Sequence, residues 1–145
     1  MNKSEQQFFV LFRSGLWNSP IDETLFVNEV DWETILRIAQ MQTVTGILFD
    51  GINNLPSALQ PPAPVMRKLY QTVIRIEQSH ELLNRRIAEI VPKLEAEGIR
   101  PILLKGQGVA QNYPNPLRRQ CGDIDLYVGQ EDCERAMQIV IGLGA

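Results

Sequence analysis

Hydrophobic residues in the first two thirds of the chain recur every three or four positions, which is the period of a helix with one buried face. Three stretches show this pattern: Ser4 to about Leu16, Asp31 to about Phe49, and Met66 to Leu94. Asp31 is a suitable N-cap for the second stretch. Gly15 and the Asn18-Ser19-Pro20 cluster are expected to break the first pattern, and Asp50-Gly51 is expected to end the second helix.

The prolines and the one histidine add further predictions about the helical part. The segment from Asn53 to Pro64 holds four prolines and is expected to be a loop or stiff linker. Pro92 lies inside the third stretch and lacks the N–H that bonds back to residue 88, so we expect a kink or a restart there. His80 lies on the apolar stripe of the same stretch with no ligand-spaced partner beside it, which predicts a partly buried structural histidine.

The pattern changes after Gly98, which is expected to end the long helix as a residue with left-handed backbone. Residues 101–105 form a short apolar run typical of a buried strand. The glycines that follow allow a tight turn into a short helix. A second strand is expected from Asp123 to Val128, and a last helix from Glu131 to about Ile141.

These elements predict an α+β protein in two parts. A helical region spans residues 1–97, and a small core with two strands and flanking helices spans residues 98–145. The length of 145 residues and the 44% hydrophobic content are sufficient for a real core.

Composition excludes several classes of partner. A net charge of −3 argues against general nucleic-acid binding and against a membrane-surface binder. The longest apolar-leaning run, Ile38 to Phe49, is shorter than the roughly 20 residues of a membrane span, and no signal peptide is evident. Cys121 and Cys133 lack the spacing of a zinc site, which favours free thiols in a reducing cytoplasm. We therefore expect a cytoplasmic protein without a membrane partner.

Two aspartates suggest the chemistry. Asp123 and Asp125 are two positions apart on the second predicted strand, so both face the same side. Two neighbouring carboxylates repel each other unless a cation lies between them, and Mg²⁺ (or Mn²⁺) suits this role. Both are predicted to be catalytic and metal-binding residues. Tyr127 shares their face and is compatible with packing or with stacking on a base. An acidic pair alone is also compatible with a solvated strand face.

The turn after the first strand supplies a candidate phosphate site. Gly106 and Gly108 leave backbone N–H groups uncovered at a helix start, and such groups bind phosphate. Gly106 is expected to lie where the backbone approaches phosphate or to adopt a conformation costly to other residues. The predicted nucleotide-binding residues are Lys105, Gly106, Gln107, Gly108, Arg118 and Arg119. The two arginines are equally compatible with solvated surface charge.

The motifs LLKG at Leu103–Gly106 and R-x-x-G-D-I-D-L-x-V at Arg119–Val128 carry a family resemblance. In them the chain resembles bacterial nucleotidyltransferases of the DNA polymerase beta-like superfamily, and most closely an uncharacterised group with a helical N-terminal half. The resemblance implies that Asp123 and Asp125 bind magnesium and that Gly106 and its neighbours hold the triphosphate of an NTP. The implied reaction is transfer of a nucleoside monophosphate to an acceptor hydroxyl.

The chain departs from the superfamily pattern at two points. Gln107 stands where the superfamily usually has serine after the glycine. No carboxylate after Asp125 lies on a predicted strand, whereas the superfamily has a third one on a later strand. Two strands also make a marginal sheet with open edges. The resemblance therefore implies a truncated nucleotidyltransferase core, which a longer parent protein or a partner chain is expected to complete.

Two alternative functions stay open. One is a toxin-type nucleotidyltransferase that modifies a macromolecule such as tRNA or protein, because such enzymes resemble the chain in their LKG and DID elements. The other is a non-catalytic module that holds nucleotide weakly while its helical part docks a partner. The sequence does not identify the acceptor substrate.

Overall fold

A computed structural model describes residues 2–144 and shows an α+β fold, as predicted. The α-helices in this range are α1 (Lys3–Trp17), α2 (Trp32–Met41), α3 (Thr45–Asn53), α4 (Ala63–Ala96), α5 (Gly106–Ala110) and α6 (Cys133–Gly142). The strands in this range are β1 (Ile102–Leu104) and β2 (Asp125–Tyr127). Short 3₁₀ helices lie at Glu23–Phe26, Ser57–Leu59 and Pro116–Arg118. No helix within residues 2–144 has both the length and the apolar character that crossing a membrane requires.

Local signals in the sequence set several helix ends. Asn2 and Glu5 form a reciprocal capping box, with both hydrogen bonds 2.9 Å long, and α1 begins at the next residue after Asn2. Asp31 caps α2 as predicted, because its carboxylate accepts the Thr34 N–H at 3.0 Å. That hydrogen bond lowers the pKa of the Asp31 carboxyl. Gly98 ends α4 with φ of 76°, also as predicted.

The single helix predicted from Asp31 to Phe49 is two helices. Thr43 adopts φ of 54°, and its N–H bonds to the carbonyl of Gln40. The N–H of Val44 bonds back to the carbonyl of Ala39, which completes a Schellman motif. No glycine marks this C-terminus, and the helical periodicity of the sequence continues across it.

Helix α4 continues through Pro92 as one helix of 34 residues, so the helix does not restart there. Pro92 leaves the carbonyl of Ala88 without its intrahelical donor. Both residues are exposed, so water can reach that carbonyl. A proline on the solvent face therefore costs less than one facing the core.

Helix α4 contributes to two hydrophobic clusters. Its first half packs against α1–α3, and the buried members of this main core are Phe8, Leu11, Phe26, Ile35, Ala39, Leu48, Phe49, Ile52, Leu55, Leu69 and Val73. Its second half joins the buried residues of the smaller core, which are Ile90, Leu94, Ile99 and Ala136. Leu126 and Val128 pack against the smaller core. The long helix therefore connects the helical part to the sheet.

Gly15 and Gly51 are packing positions rather than helix breakers. Helix α1 ends at Trp17 with Asn18 as its C-cap, close to the predicted end, but Gly15 lies inside it and does not break it. Gly51 lies inside α3, so the helix end predicted at Asp50-Gly51 is wrong. A Cβ at Gly15 would overlap the carbonyl oxygen of Ile47, and one at Gly51 would overlap the carbonyl oxygen of Leu11. The absence of both side chains allows the backbones of α1 and α3 to approach closely.

The sheet is an antiparallel pair of three-residue strands. Its register pairs Ile102 with Tyr127, Leu103 with Leu126, and Leu104 with Asp125. The second strand is shorter than the predicted span of residues 123–128, and Asp123 lies in irregular backbone before it. The end of β1 therefore lies beside the start of β2.

The segment Arg118–Gln120 connects the helical part to the sheet. The Gln120 side chain accepts the Thr45 N–H at 2.9 Å and so caps α3. The Arg118 guanidinium pairs with Asp50 at 3.6 Å and with Glu77 at 3.1 Å. It also lies 4.9 Å from the centre of the Phe49 ring.

Burial dominates the ionisation of Asp50 within this cluster. Desolvation raises the pKa of its carboxyl to about 6, although Arg118 lowers it, and Glu77 raises it further. The 3.6 Å separation from Arg118 is long for a charge-assisted hydrogen bond, so the ion pair does not offset desolvation. Asp50 is therefore sensitive to pH near neutrality.

Gly51→Ala is expected to lower the free energy of unfolding by roughly 1–3 kcal/mol, because the added methyl group forces α1 and α3 apart. Gly142→Ala is the matched control, since a Cβ there meets no atom within 4 Å. Its stability should equal or slightly exceed that of the wild type. Urea unfolding followed by circular dichroism measures both variants. If Gly51→Ala has the same free energy of unfolding as the wild type, α1 and α3 do not cross as closely as described.

Asp50 is expected to make the chain more stable at pH 5 than at pH 7. Its pKa is higher in the folded state, so its contribution is present below the unfolded pKa and is lost as pH rises through about 6. Because the side chain is partly solvated, we expect a change of only about 1 kcal/mol. Asp50→Asn removes this titration. Between pH 5 and pH 7 the free energy of unfolding should fall more steeply with pH in the wild type than in Asp50→Asn. Parallel profiles would contradict the raised pKa of Asp50.

Candidate functional site

The turn between β1 and α5 places two consecutive residues in left-handed backbone. Lys105 adopts φ of 43° and ψ of −143°, and Gly106 adopts φ of 38°. The costly conformation predicted for Gly106 is confirmed. Lys105 has no such freedom, and a non-glycine residue in this region typically costs about 1–3 kcal/mol. The turn is held closed by the Val109 N–H, which donates to the Lys105 carbonyl at 3.1 Å.

The Lys105 ammonium faces the carboxylate of Asp125. Its Nζ lies 2.9 Å from Asp125 Oδ2, because the strand register places the end of β1 beside the start of β2. The hydrogen bond and charge of Asp125 raise the pKa of Lys105, and the charge of Asp123 raises it further. Lys105 therefore lies in the field of both predicted metal-binding carboxylates.

Gly106 and Arg119 complete this group. A Cβ at Gly106 would lie 3.5 Å from the Asp123 carbonyl oxygen, and Arg119 Nη1 donates to the Gly106 carbonyl at 3.2 Å. The structure thus brings Lys105, Gly106, Arg119, Asp123 and Asp125 to one place. These five residues are called the carboxylate turn below.

Arg118 is not brought to the carboxylate turn. Its guanidinium faces Asp50 on α3 and Glu77 on α4, as described above. Its side chain is only 16% exposed, so it is not a solvated surface charge either. The contacts of Arg118 hold the segment Arg118–Gln120 against the helices.

Gln107 and Gly108 turn toward the interior. The Gln107 side chain is buried, and its amide nitrogen and oxygen have no hydrogen-bond partner within residues 2–144. Gln107 also lines a groove of about 480 Å³ between α4, β1 and α5. Gly108 allows α5 to approach β1, since a Cβ there would lie 3.2 Å from the Leu103 carbonyl oxygen. Gln107 and Gly108 offer their backbone N–H groups at the start of α5, because the first N–H groups of a helix have no intrahelical acceptor.

His80 positions the carboxylate turn from α4. It is 3% exposed, as expected of a structural histidine, and its Nδ1 lies 3.1 Å from the Arg119 carbonyl oxygen. A carbonyl only accepts, so Nδ1 carries the hydrogen. Sequence analysis predicted a structural role and partial burial for His80 but missed this link, because no local pattern connects His80 with Arg119.

The carboxylate turn suits a divalent cation that is shared with a substrate. No group of three or more histidine, cysteine or acidic residues in the described part of the chain is arranged to hold a metal ion. Asp123 and Asp125 offer two hard oxygen donors, and Mg²⁺ commonly takes one or two carboxylates together with water and substrate phosphates. Cys121 and Cys133 are both free thiols. The donor set thus fits magnesium carried by a nucleotide better than a closed metal cage.

Comparison with known proteins identifies a family. Residues 28–145 match the model of a family described as an uncharacterised nucleotidyltransferase. The match spans most of the chain, from the segment before α2 to the end. No curated protein and no solved structure matches the chain significantly.

Lys105→Gly is expected to be about 1 kcal/mol more stable than Lys105→Ala, because only glycine relieves the strained backbone while both variants lose the ammonium group. The ion pair with Asp125 is largely exposed and contributes little to stability. Chemical unfolding of the two variants side by side measures the difference. If Lys105→Gly is not the more stable of the two, the turn is not strained at this residue.

Proposed function

This chain belongs to the uncharacterised nucleotidyltransferase family, and from that premise we propose that it is a bacterial, cytoplasmic member of the DNA polymerase beta-like superfamily. The proposed reaction is magnesium-dependent transfer of a nucleoside monophosphate from an NTP to an acceptor hydroxyl. The observation that supports it most is the carboxylate turn, where an ammonium group lies 2.9 Å from a strand carboxylate, at a strained strand end.

In this proposal Asp123 and Asp125 hold the magnesium ion. Bound there, the ion would neutralise charge on the α-phosphate and orient it for in-line attack. Asp125 is fixed by its place in β2, opposite Leu104. Asp123 precedes the strand and is exposed, so it is free to adjust to a ligand.

The remaining residues of the carboxylate turn, together with Gln107 and Gly108, bind the triphosphate in this proposal. In the chain alone, Lys105 offsets the repulsion between the two carboxylates. Its side chain is 69% exposed, so the ammonium group can rotate to a phosphate oxygen without disturbing any packing. Arg119 adds positive charge from a position fixed by the Gly106 carbonyl. Gln107 and Gly108 contribute backbone N–H groups, while the buried Gln107 amide points away from solvent.

Asp125→Asn is expected to weaken Mn²⁺–ATP binding at least about tenfold, since it removes one of two charged metal ligands. The free energy of unfolding should change by less than about 1 kcal/mol, because the lost ion pair is partly exposed. Calorimetric titration measures the affinity. Asp132→Asn is the matched control, because it removes the same charge from an ion pair with Arg135 outside the turn. Equal Mn²⁺–ATP affinity in Asp125→Asn and the wild type would contradict the metal assignment.

Transfer is tested with ATP labelled at the α-phosphate and a bacterial extract. Residues 1–145 alone should label little, because the truncated core lacks a third carboxylate on a strand to assist the acceptor hydroxyl. A protein in which the parent chain or a partner completes the core should label an acceptor that its Asp125→Asn variant does not. Label on a macromolecule would favour a toxin-type enzyme, and label on a small molecule a metabolic one. Mn²⁺–ATP binding without any transfer by the completed protein would favour the non-catalytic module.

A further inference from the structure

The two-stranded sheet has one packed face and one open face. Side chains of paired residues lie on the same face, and successive residues alternate. Leu103 and Leu126 therefore share the packed face, where Leu126 contacts the smaller core. The open face consists of Ile102, Leu104, Asp125 and Tyr127.

The open face is apolar at one end and charged at the other. Tyr127 is 56% exposed and its cross-strand neighbour Ile102 is 57% exposed. Asp125 lies at the other end, bound to Lys105. No other aromatic ring in the described part of the chain stacks on Tyr127, and its hydroxyl makes no hydrogen bond there. An uncharged surface with a free aromatic ring thus adjoins the carboxylate turn.

The direction of β2 orders these features. The turn at Lys105 and Gly106 lies on one side of Asp125, and Tyr127 lies two residues along the strand on the other side. That spacing corresponds to about 7 Å at the usual rise of an antiparallel strand. In a nucleoside triphosphate bound with its phosphate tail at the turn, the ribose separates the α-phosphate from the base by a comparable length. The base then reaches the apolar end of the open face.

We infer that the open face is the nucleobase platform of this site, with the base stacked on the Tyr127 ring and flanked by Ile102. This inference rests on the proposed function. Neither Tyr127 nor Ile102 has charged groups that could distinguish one base edge from another. Every base, however, has a face that stacks on an aromatic ring. The platform therefore accepts any NTP, and preferences among them follow stacking strength.

The test compares a ligand that has a base with one that lacks it. Mn²⁺–ATP and Mn²⁺–tripolyphosphate are titrated calorimetrically into the wild type, Tyr127→Ala and Tyr127→Phe. Tyr127→Ala should bind ATP roughly tenfold more weakly and bind tripolyphosphate as the wild type does. Tyr127→Phe keeps the ring and should retain the affinity for ATP. Tyr70→Ala is the control, because Tyr70 is 54% exposed on α4.

The outcomes separate this inference from the proposed function. Unchanged ATP affinity in Tyr127→Ala overturns the platform and leaves the nucleotidyltransferase site intact; the open face would then serve an acceptor ring or another chain. Equal losses for both ligands overturn it too, because Tyr127 would then support the turn rather than the base. A wild type that binds neither ligand overturns the proposed function and this inference together. Circular dichroism confirms that each variant is folded.

Discussion

The position of the carboxylate turn depends on Arg119, which is hydrogen-bonded from both ends. Its carbonyl accepts from buried His80 on α4, and its guanidinium donates to the carbonyl of Gly106. A buried imidazole without a partner is costly, so the His80 bond constrains the backbone of Arg119 strongly. The Gly106 carbonyl is in turn held by a side chain that is itself partly buried. Helix α4 is thereby connected to the carboxylate turn.

The ion pairs of Arg118 position this segment more than they stabilise the fold. Burying a cation with Asp50 and Glu77 removes three charges from water, and the Coulomb attraction often does not repay that cost. The pKa of about 6 for Asp50 shows that desolvation outweighs attraction at this carboxylate. The geometry nevertheless leaves few alternatives, because a Cβ at Gly46 would overlap the Arg118 carbonyl oxygen. The cluster and the glycine together fix how the segment passes between α3 and α4.

Sequence analysis succeeded where structure depends on neighbours along the chain. The Asp31 cap, the Gly98 terminus and the division into helical segments and short strands all follow from local patterns. It failed where the role of a residue depends on backbone that is distant in sequence. Gly15 and Gly51 look like helix breakers, but they allow α1 and α3 to cross closely. The role of Arg118 was equally hidden, since its partners lie on two helices far away in sequence. For the candidate site, the predicted turn at Lys105 and Gly106 is present in the structure, but the inward orientation of Gln107 follows from tertiary packing.

The carboxylate turn carries two separate energetic costs. Lys105 occupies backbone space that favours glycine, at about 1–3 kcal/mol, and the buried Gln107 amide lacks partners in the described chain, at a similar cost. Both features lie within three residues of each other. Local costs of this kind persist where the surrounding structure serves something besides stability. What Lys105 gains from its conformation is an ammonium group beside Asp125 in the field of Asp123. The strain thus points to a functional site at this turn on grounds that owe nothing to the family match.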